Sequence, residues 1–281
     1  MSSVAVKVAR PHPPRFRVAQ LASAAAPATI ALGIGIALWE IAARAWSQPF
    51  FPPFSAVVER LVELIAEGKI LASLVGSLTN LAIGFTVSAV VGVGVGMLMG
   101  AYRKVEMALD IYVYAMLTAP SLVFAPIFFA IFGLSRLSIL GVIIVYSIFI
   151  IIINTAAAIR NVSPALIEMG RSYCATERQL FFKIILPAAL PLIFAGLRLG
   201  MGRAVKGTIN GEMFITAVGL GAVVISAGRR FDAAAVLAVL LVIIVVALVA
   251  IKLVQLVDAR LTGWLPSTAR QGRAGRASSP G

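Results

Sequence analysis

Four long stretches without a single charged residue constrain this chain of 281 residues more than any other feature. A membrane-spanning helix needs about 20 consecutive, mostly apolar residues, and each stretch reaches that length. They cover residues 81–100, 111–135, 137–159 and 233–251. Only 12% of all residues are charged and the mean hydropathy is +1.01, whereas about a quarter of a soluble domain is charged. The sequence therefore predicts an all-α integral membrane protein.

Two further segments are candidate spans although they contain charges. Residues 26–46 carry only Glu40 and Arg44, whose i,i+4 spacing places them side by side on one helix face. Residues 190–216 are the weaker candidate, because four charged residues lie inside them: Arg198, Arg203, Lys206 and Glu212. We count both segments as spans, which gives six.

The positions of the basic residues predict the orientation. With six spans and a cytoplasmic N-terminus, fifteen of the 24 Lys and Arg residues fall inside, six fall outside and three lie within the fifth span. This excess fits the positive-inside rule. We therefore predict a basic cytoplasmic N-terminal tail at 1–25, a six-span domain at 26–262 and a disordered cytoplasmic tail at 263–281. A secretory signal peptide also begins with basic residues and an apolar run, but this run is long enough to span, so an uncleaved first span is favoured.

The composition argues against several classes of function. Cys174 is the only cysteine and His12 the only histidine, which rules out an intramolecular disulfide and argues against a zinc site or Ser–His catalysis. The chain contains no GxxxxGK[ST] phosphate-binding motif, so it is not itself an ATPase of that type. The net charge of +13 follows the membrane topology and does not indicate nucleic acid. We expect no enzyme activity, metal or bound cofactor.

Two connecting segments and one glycine row also carry patterns. Residues 50–76 contain apolar positions at helical spacing, expected on the membrane surface or against the bundle: Val57, Val58, Leu61, Leu64 and Ile65. Residues 219–228 are apolar, glycine-rich and too short to span, so they are a candidate re-entrant segment. Gly92, Gly96 and Gly100 recur every four residues, which lets two helices approach closely. We favour packing within the bundle over a dimer face for this row.

The long inside loop, residues 161–190, has the most specific pattern. Ser163 followed by Pro164 predicts the start of a short helix. Thr176 with Gln179 three residues later predicts a capping box that starts a second one. Two short helices joined by a turn at the membrane face are suited to docking on a partner protein.

This loop resembles the EAA motif of ABC importer permeases. It reads Glu168-Met-Gly-Arg-Ser-Tyr-Cys174, then nine residues, then Ile184-Ile-Leu-Pro187, where the family has Glu-Ala-Ala, three residues, Gly, nine residues and Ile-x-Leu-Pro. The flanking residues resemble the nitrate/sulfonate/taurine-type branch. Gly170 replaces the second alanine of the motif, and Cys174 replaces its glycine. If that position needs a left-handed backbone, a residue other than glycine costs about 1–2 kcal/mol.

The resemblance implies a six-helix type I ABC importer permease fold with a cytoplasmic coupling-helix loop, in the bacterial cytoplasmic (inner) membrane. It also implies three protein partners, one of which binds ATP and Mg. The loop would dock on a separate cytoplasmic ABC ATPase dimer, which would bind ATP and Mg. A second permease copy, taken to be identical, would complete the path, and an extracytoplasmic solute-binding protein would deliver solute. The resemblance assigns the ATPase-coupling role to residues at or beside the motif positions, which are Glu168, Gly170, Arg171, Cys174, Ile184, Leu186 and Pro187.

Polar residues inside spans are candidates for the translocation path, because they are expensive there without a function. The candidates are Tyr114, Thr118, Asn154 and Glu212. Pro120 and Pro126 are expected to kink the third span. Arg198, Arg203 and Lys206 either attract an anionic solute or serve structure, and we favour the structural role near the cytoplasmic end for the two arginines. The predicted solute is a small anion such as a sulfonate, taurine or nitrate. The alternative function is an ATP-independent secondary transporter or channel.

Overall fold

In a computed structural model, the described residues, 18–46, 48, 50–215 and 219–262, are almost wholly helical. The helices are α1 (Val18–Trp46), α2 (Phe54–Ala66), α3 (Lys69–Ala101), α4 (Arg103–Thr118), α5 (Phe124–Phe132), α6 (Arg136–Arg160), α7 (Pro164–Ser172), α8 (Glu177–Leu180), α9 (Leu186–Phe214), α10 (Leu220–Arg229) and α11 (Ala233–Leu261). A 3₁₀ turn precedes α5, and a π turn at Phe181–Ile185 joins α8 to α9. The predicted N-terminal tail up to residue 17, and the predicted C-terminal tail, lie outside the described residues.

Apolar helices of spanning length occur in five of the six predicted places, and a bent pair of helices occupies the other. Among the described residues, α1, α3, α6, α11 and the unit Glu177–Phe214 are each long and apolar enough to cross a membrane. The sixth consists of α4 and Ser121–Phe132, which are bent by 89° relative to each other. The expected kink of the third span is therefore present. The break lies at Pro120, as expected, but Pro126 falls in the first turn of α5, where no helical amide hydrogen is needed.

The centre of the bundle is α6, which packs between two helices lined with glycine. On α3, the glycine row faces α6: an added Cβ at Gly96 would lie 2.6 Å from Thr155 Cβ, and one at Gly100 would lie 2.7 Å from Ile159 Cβ. On α9, an added Cβ at Gly200 would lie 2.5 Å from Ile151 Cγ1. These contacts confirm that the α3 row serves packing within the bundle, because only glycine lets the helix axes come so close.

The segments that connect the first spans are helical as well. In α2, Val57 and Leu64 are buried while Ile65 is exposed, so its amphipathic face lies against the bundle. The last eight residues of the predicted outside segment belong to α3, which begins at Lys69, well before residue 81. The predicted Glu40–Arg44 pair is present in α1, with 2.6 Å between Oε1 and Nη2.

The bundle has two ends that differ in construction. The loop end comprises the C-terminal end of α6, all of α7 and α8, and the start of α9. The far end comprises the starts of α3 and α6, the end of α9, and α10. Residues 219–228, predicted as a re-entrant segment, form most of α10, whose residues Leu220, Gly221 and Ala222 are buried.

Candidate functional site

At the loop end, two short helices form as predicted. The capping box that starts α8 is complete: Gln179 N donates to Thr176 Oγ1 over 3.3 Å, and Thr176 N donates to Gln179 Oε1 over 3.0 Å. Helix α7 begins at Pro164, but the Ser163 side chain accepts no capping hydrogen bond. Through the π turn, α8 continues into α9 as one helical unit, so the loop end is joined directly to a membrane-spanning helix.

The two short helices cross at Gly170. A Cβ added there would lie 2.5 Å from Ile184 Cδ1 and 2.7 Å from Leu180 Cδ1. Cys174 has φ +54°, so the position of the motif glycine is left-handed and the cysteine carries the strain of about 1–2 kcal/mol. The turn is held by hydrogen bonds from Cys174 N to Arg171 O (2.9 Å) and from Ala175 N to Gly170 O (3.2 Å).

The outer face of the loop end combines charges with large apolar side chains. Glu168 and Arg171 are exposed, and so are Met169, Tyr173 and Phe182, the tyrosine to 83%. Leu186 and Pro187 are half-buried in the first turn of α9. Exposed apolar groups that are clustered in this way mark interaction surfaces. Of the seven motif residues, Glu168, Arg171 and Cys174 are therefore exposed. The others are buried or half-buried: Gly170, Ile184, Leu186 and Pro187.

At the far end, Glu212 is fully buried and is held by hydrogen-bond donors from two other elements. Ser77 Oγ donates to it over 2.6 Å, Asn80 Nδ2 over 3.1 Å and Gly221 N over 3.3 Å. Ser77 Oγ in turn accepts from Leu220 N over 2.8 Å. This carboxylate therefore joins the end of α9 to α3 and to the start of α10.

The network continues to α6 and leaves no room for a side chain at Gly219. Arg136 Nε donates to Asn80 Oδ1 over 2.9 Å. An added Cβ at Gly219 would lie 2.2 Å from the carboxylate carbon of Glu212, and its φ of +90° is itself suited to glycine. We call Ser77, Asn80, Arg136, Glu212 and the backbone of residues 219–221 the Glu212 network.

The four candidate path residues do not meet in one site. Tyr114 and Thr118 are exposed near the α4–α5 break, and the threonine hydroxyl donates to its own helix. Asn154 Nδ2 donates to Ile150 O within α6. Asn154 lies beside Gly196, whereas Gly211 near Glu212 lies beside Ile139, which separates the two polar groups by about 20 Å along α6. Among the described residues, no group of three or more His, Cys, Asp or Glu is placed to hold a metal ion.

One of the cations in α9 lies at a depth that the sequence did not favour, and another lies as expected. Arg198 pairs with Asp258 of α11, with 2.5 Å between Nη1 and Oδ2, as expected for a structural role. Arg203 lies between Gly200, which faces Ile151, and Gly207, which faces Tyr146. It is therefore near the middle of α6 in depth, and the expected place near the cytoplasmic end is wrong for this residue.

Arg203 and Lys206 occupy a partly open face of α9. Lys206 is exposed and Arg203 is half-buried. Within the described part of the chain, neither has a carboxylate within 4.0 Å. On the same stripe, Asn210 Nδ2 donates to Tyr146 Oη over 2.7 Å. The i+3 and i+4 spacing of Arg203, Lys206 and Asn210 is visible in the sequence. The depth and exposure of this stripe, however, follow only from the packing of α9 against α6.

Comparisons with known proteins agree with this architecture. Residues 92–263 match the family described as "Binding-protein-dependent transport system inner membrane component". A putative aliphatic sulfonates transport permease of Bacillus subtilis is 30% identical over 257 residues, 91% of each chain. A formylaminopyrimidine transport permease of Halalkalibacterium halodurans is 32% identical, over 72% of this chain and 80% of the relative. A nitrate import permease of Synechocystis is 37% identical, over 52% of this chain and 53% of the relative.

Proposed function

This chain belongs to the family of binding-protein-dependent transport system inner membrane components, and on that premise we propose that it couples solute import to ATP hydrolysis by a separate cytoplasmic ATPase. As a member it has the type I ABC permease fold and is a multi-pass membrane transport subunit. In this proposal ATP and Mg are bound by the ATPase dimer alone. The docking element is the loop 161–190.

The observation that carries the proposal is the exposed face of α7 and its mechanical support. Met169 and Tyr173 are exposed beside Glu168, which suits a cleft that accepts both apolar and charged groups. The α7–α8 crossing is tightly packed at Gly170. Because α8 runs through the π turn into α9, a displacement of the loop is passed on along one helical unit, Glu177–Phe214, towards Glu212.

We also propose a second copy of this chain, which together with the first encloses a water-filled path. Arg203 and Lys206 lie at mid-depth on a face that one copy leaves partly open. A cation facing lipid at that depth costs about 2.5–3.5 kcal/mol on the insertion scale. An aqueous path between two copies removes that cost, and Tyr114, Thr118 and Asn154 remain candidates to line it.

The same two cations favour a small anion as the solute. Their side chains are not neutralised by a contacting carboxylate in the described part of the chain, so they attract negative charge into the path. Two of the relatives are named for sulfonates and nitrate, and a third for formylaminopyrimidine. We propose a sulfonate, taurine or nitrate, with selectivity shared with an external binding protein.

The proposed orientation has both termini in the cytoplasm of a bacterium, with the protein in the inner membrane. The excess of basic residues on the loop side supports it. The binding protein would then dock at the far end, opposite to the ATPase.

The test is co-purification of the ATPase with the tagged chain from native membranes in mild detergent. We expect ATPase activity in the eluate with wild type and its loss with Glu168→Ala. The matched control is Glu59→Ala, the same change at an exposed position of α2, away from the loop. If no ATPase co-purifies with well-folded wild type, the ATP-independent transporter becomes the better-supported hypothesis. Equal loss in both variants would remove the coupling role from Glu168.

A further inference from the structure

A cavity of about 350 Å³ opens at the far end, beside the Glu212 network but separate from the Glu212 carboxylate. Its walls come from residues 76–80 of α3, from the start of α6 with the two residues before it, and from Ile215 after α9. The polar lining residues are Thr79, Asn80, Ser135 and Arg136, with Ile139 and Ile215 among the apolar ones. This volume accommodates a small organic ion with a few waters.

Arg136 contributes a positive charge that is held in position but not neutralised by contact. Its Nε donates to Asn80 Oδ1, and the Asn80 amide is itself oriented by Glu212. Within the described part of the chain no carboxylate lies within 4.0 Å of the guanidinium, so the two Nη groups remain available as donors. A planar guanidinium with adjacent free donors matches the geometry of an oxyanion.

Glu212 does not use up this charge. Its carboxylate is satisfied by Ser77, Asn80 and Gly221, and Arg136 reaches it only through the Asn80 amide. The arginine is therefore not needed as a hydrogen-bond donor to the buried carboxylate. Arg136 is instead one of the residues that line the cavity.

A second polar group in the cavity wall lacks a partner. The Ser135 hydroxyl oxygen is buried and has no hydrogen-bond partner among the described residues. A buried hydroxyl without a partner costs about 1–3 kcal/mol, which a bound oxyanion or its water would offset. The site thus offers an arginine fork and a hydroxyl donor on neighbouring residues.

We propose that this cavity binds the oxyanion group of the solute, as the first station on the chain after release from the binding protein. The ligand class is a small sulfonate, carboxylate or similar oxyanion. The proposal rests on the importer function and adds a residue-level site to it. A lipid phosphate carries the same chemistry, so the test must separate the two sources.

The experiment measures thermal stabilisation of the purified chain by methanesulfonate at constant ionic strength, with uncharged dimethyl sulfone as the matched probe. We expect methanesulfonate, but not the sulfone, to stabilise wild type. Arg136→Gln should bind about tenfold or more weakly, because it loses charge-assisted hydrogen bonds. Arg229→Gln, an exposed arginine of α10, should bind like wild type. Arg136→Lys keeps the charge, and its affinity for methanesulfonate is expected to lie between those of wild type and Arg136→Gln. This variant keeps the test decisive if the glutamine variant does not fold.

Three results would overturn the proposal. Equal stabilisation of wild type and Arg136→Gln would mean that the anion acts elsewhere, and equal effects of both probes would mean that charge is not recognised. Stabilisation by phosphatidylglycerol nanodiscs but not by free methanesulfonate would assign the site to lipid. The same preparations are assayed for co-purifying ATPase activity. If ATPase co-purifies but Arg136→Gln binds methanesulfonate as wild type does, only this site is rejected. If no ATPase co-purifies, the importer function is rejected as well.

Discussion

The loop end and the far end of this permease are stabilised in opposite ways. At the loop end the contacts are local: Thr176 and Gln179 cap each other, and Gly170 packs against Ile184 a short distance along the chain. At the far end, Glu212 is bonded to Ser77 over a separation of 135 residues. The first region presents an exposed face, and the second encloses a buried carboxylate.

The difference between the two ends indicates which of them can be displaced without disturbing the core. A surface that docks on a partner needs an exposed, locally rigid unit, and its displacement need not disturb the core. A buried carboxyl group with several donors ties three helices together, since breaking one hydrogen bond leaves a buried polar group unsatisfied. The unit Glu177–Phe214 joins the two regions. We therefore expect substitutions at the far end to affect stability more than those at the loop end.

The largest effect is expected for Gly219→Ala. The new Cβ would overlap the buried Glu212 carboxylate, 2.2 Å away, and that side chain cannot move without losing its donors. We expect loss of folded protein, measured as the monodisperse fraction in detergent after expression and heating. Gly68→Ala is the matched control, because its φ is +71° but no atom lies within 4 Å of the added Cβ. It should cost no more than about 1–2 kcal/mol. Equal behaviour of the two variants would contradict the tight packing around Glu212.

Glu212→Gln should destabilise by about 1–3 kcal/mol, because an amide nitrogen replaces one acceptor oxygen and faces buried donors. The apparent melting temperature in detergent measures it, with the exposed Glu177→Gln as control. Combination with Ser77→Ala should be less than additive, since both changes remove the same hydrogen bond. Strict additivity would mean that the two side chains act independently.

At the loop end, Cys174→Gly should be more stable than Cys174→Ala by about 1 kcal/mol. Both variants remove the thiol, but only glycine relieves the left-handed strain at φ +54°. Apparent melting temperature and amide exchange of the loop measure the difference. If alanine proved equal to glycine, the turn would have to relax to another conformation.

The smallest effect is expected for Gly170→Ala, within about 1 kcal/mol of wild type. The atoms nearest to the added Cβ, Ile184 Cδ1 and Leu180 Cδ1, are the ends of flexible side chains, and alanine favours the helix. Gly170→Leu is the contrasting variant and should overpack the crossing. A large loss of stability with alanine would show that the loop end is as rigid as the far end.

Much of the fold follows from local patterns in the sequence. Charge-free stretches predicted the spans, and the capping box of Thr176 and Gln179 was correct to the atom. The bend at Pro120 was expected, but its 89° was not, because proline frees backbone groups without setting the angle. The start of α3 at Lys69 was missed, since helix propensity and hydropathy do not mark a boundary outside the apolar core.

The far end required the tertiary structure. Arg136 was visible only as a single arginine between two apolar stretches, and Asn80 only as a lone polar residue just before the stretch 81–100. Nothing local indicates that they bond to each other and, through the asparagine, to Glu212. Arg203 was expected near the cytoplasmic boundary but lies near the middle of α6 in depth, because depth depends on which residues of α6 lie opposite.

The sequence by itself determined the membrane class, the apolar segments and the two short helices of the loop 161–190, because hydropathy and capping act between residues close along the chain. Only the tertiary structure decided that α6 lies between two glycine-lined helices and that Glu212 is a buried junction. It also decided that Arg136 faces a cavity. The physical reason is that close packing and buried hydrogen bonds depend on which distant residues meet, and one sequence without its fold does not specify those pairs.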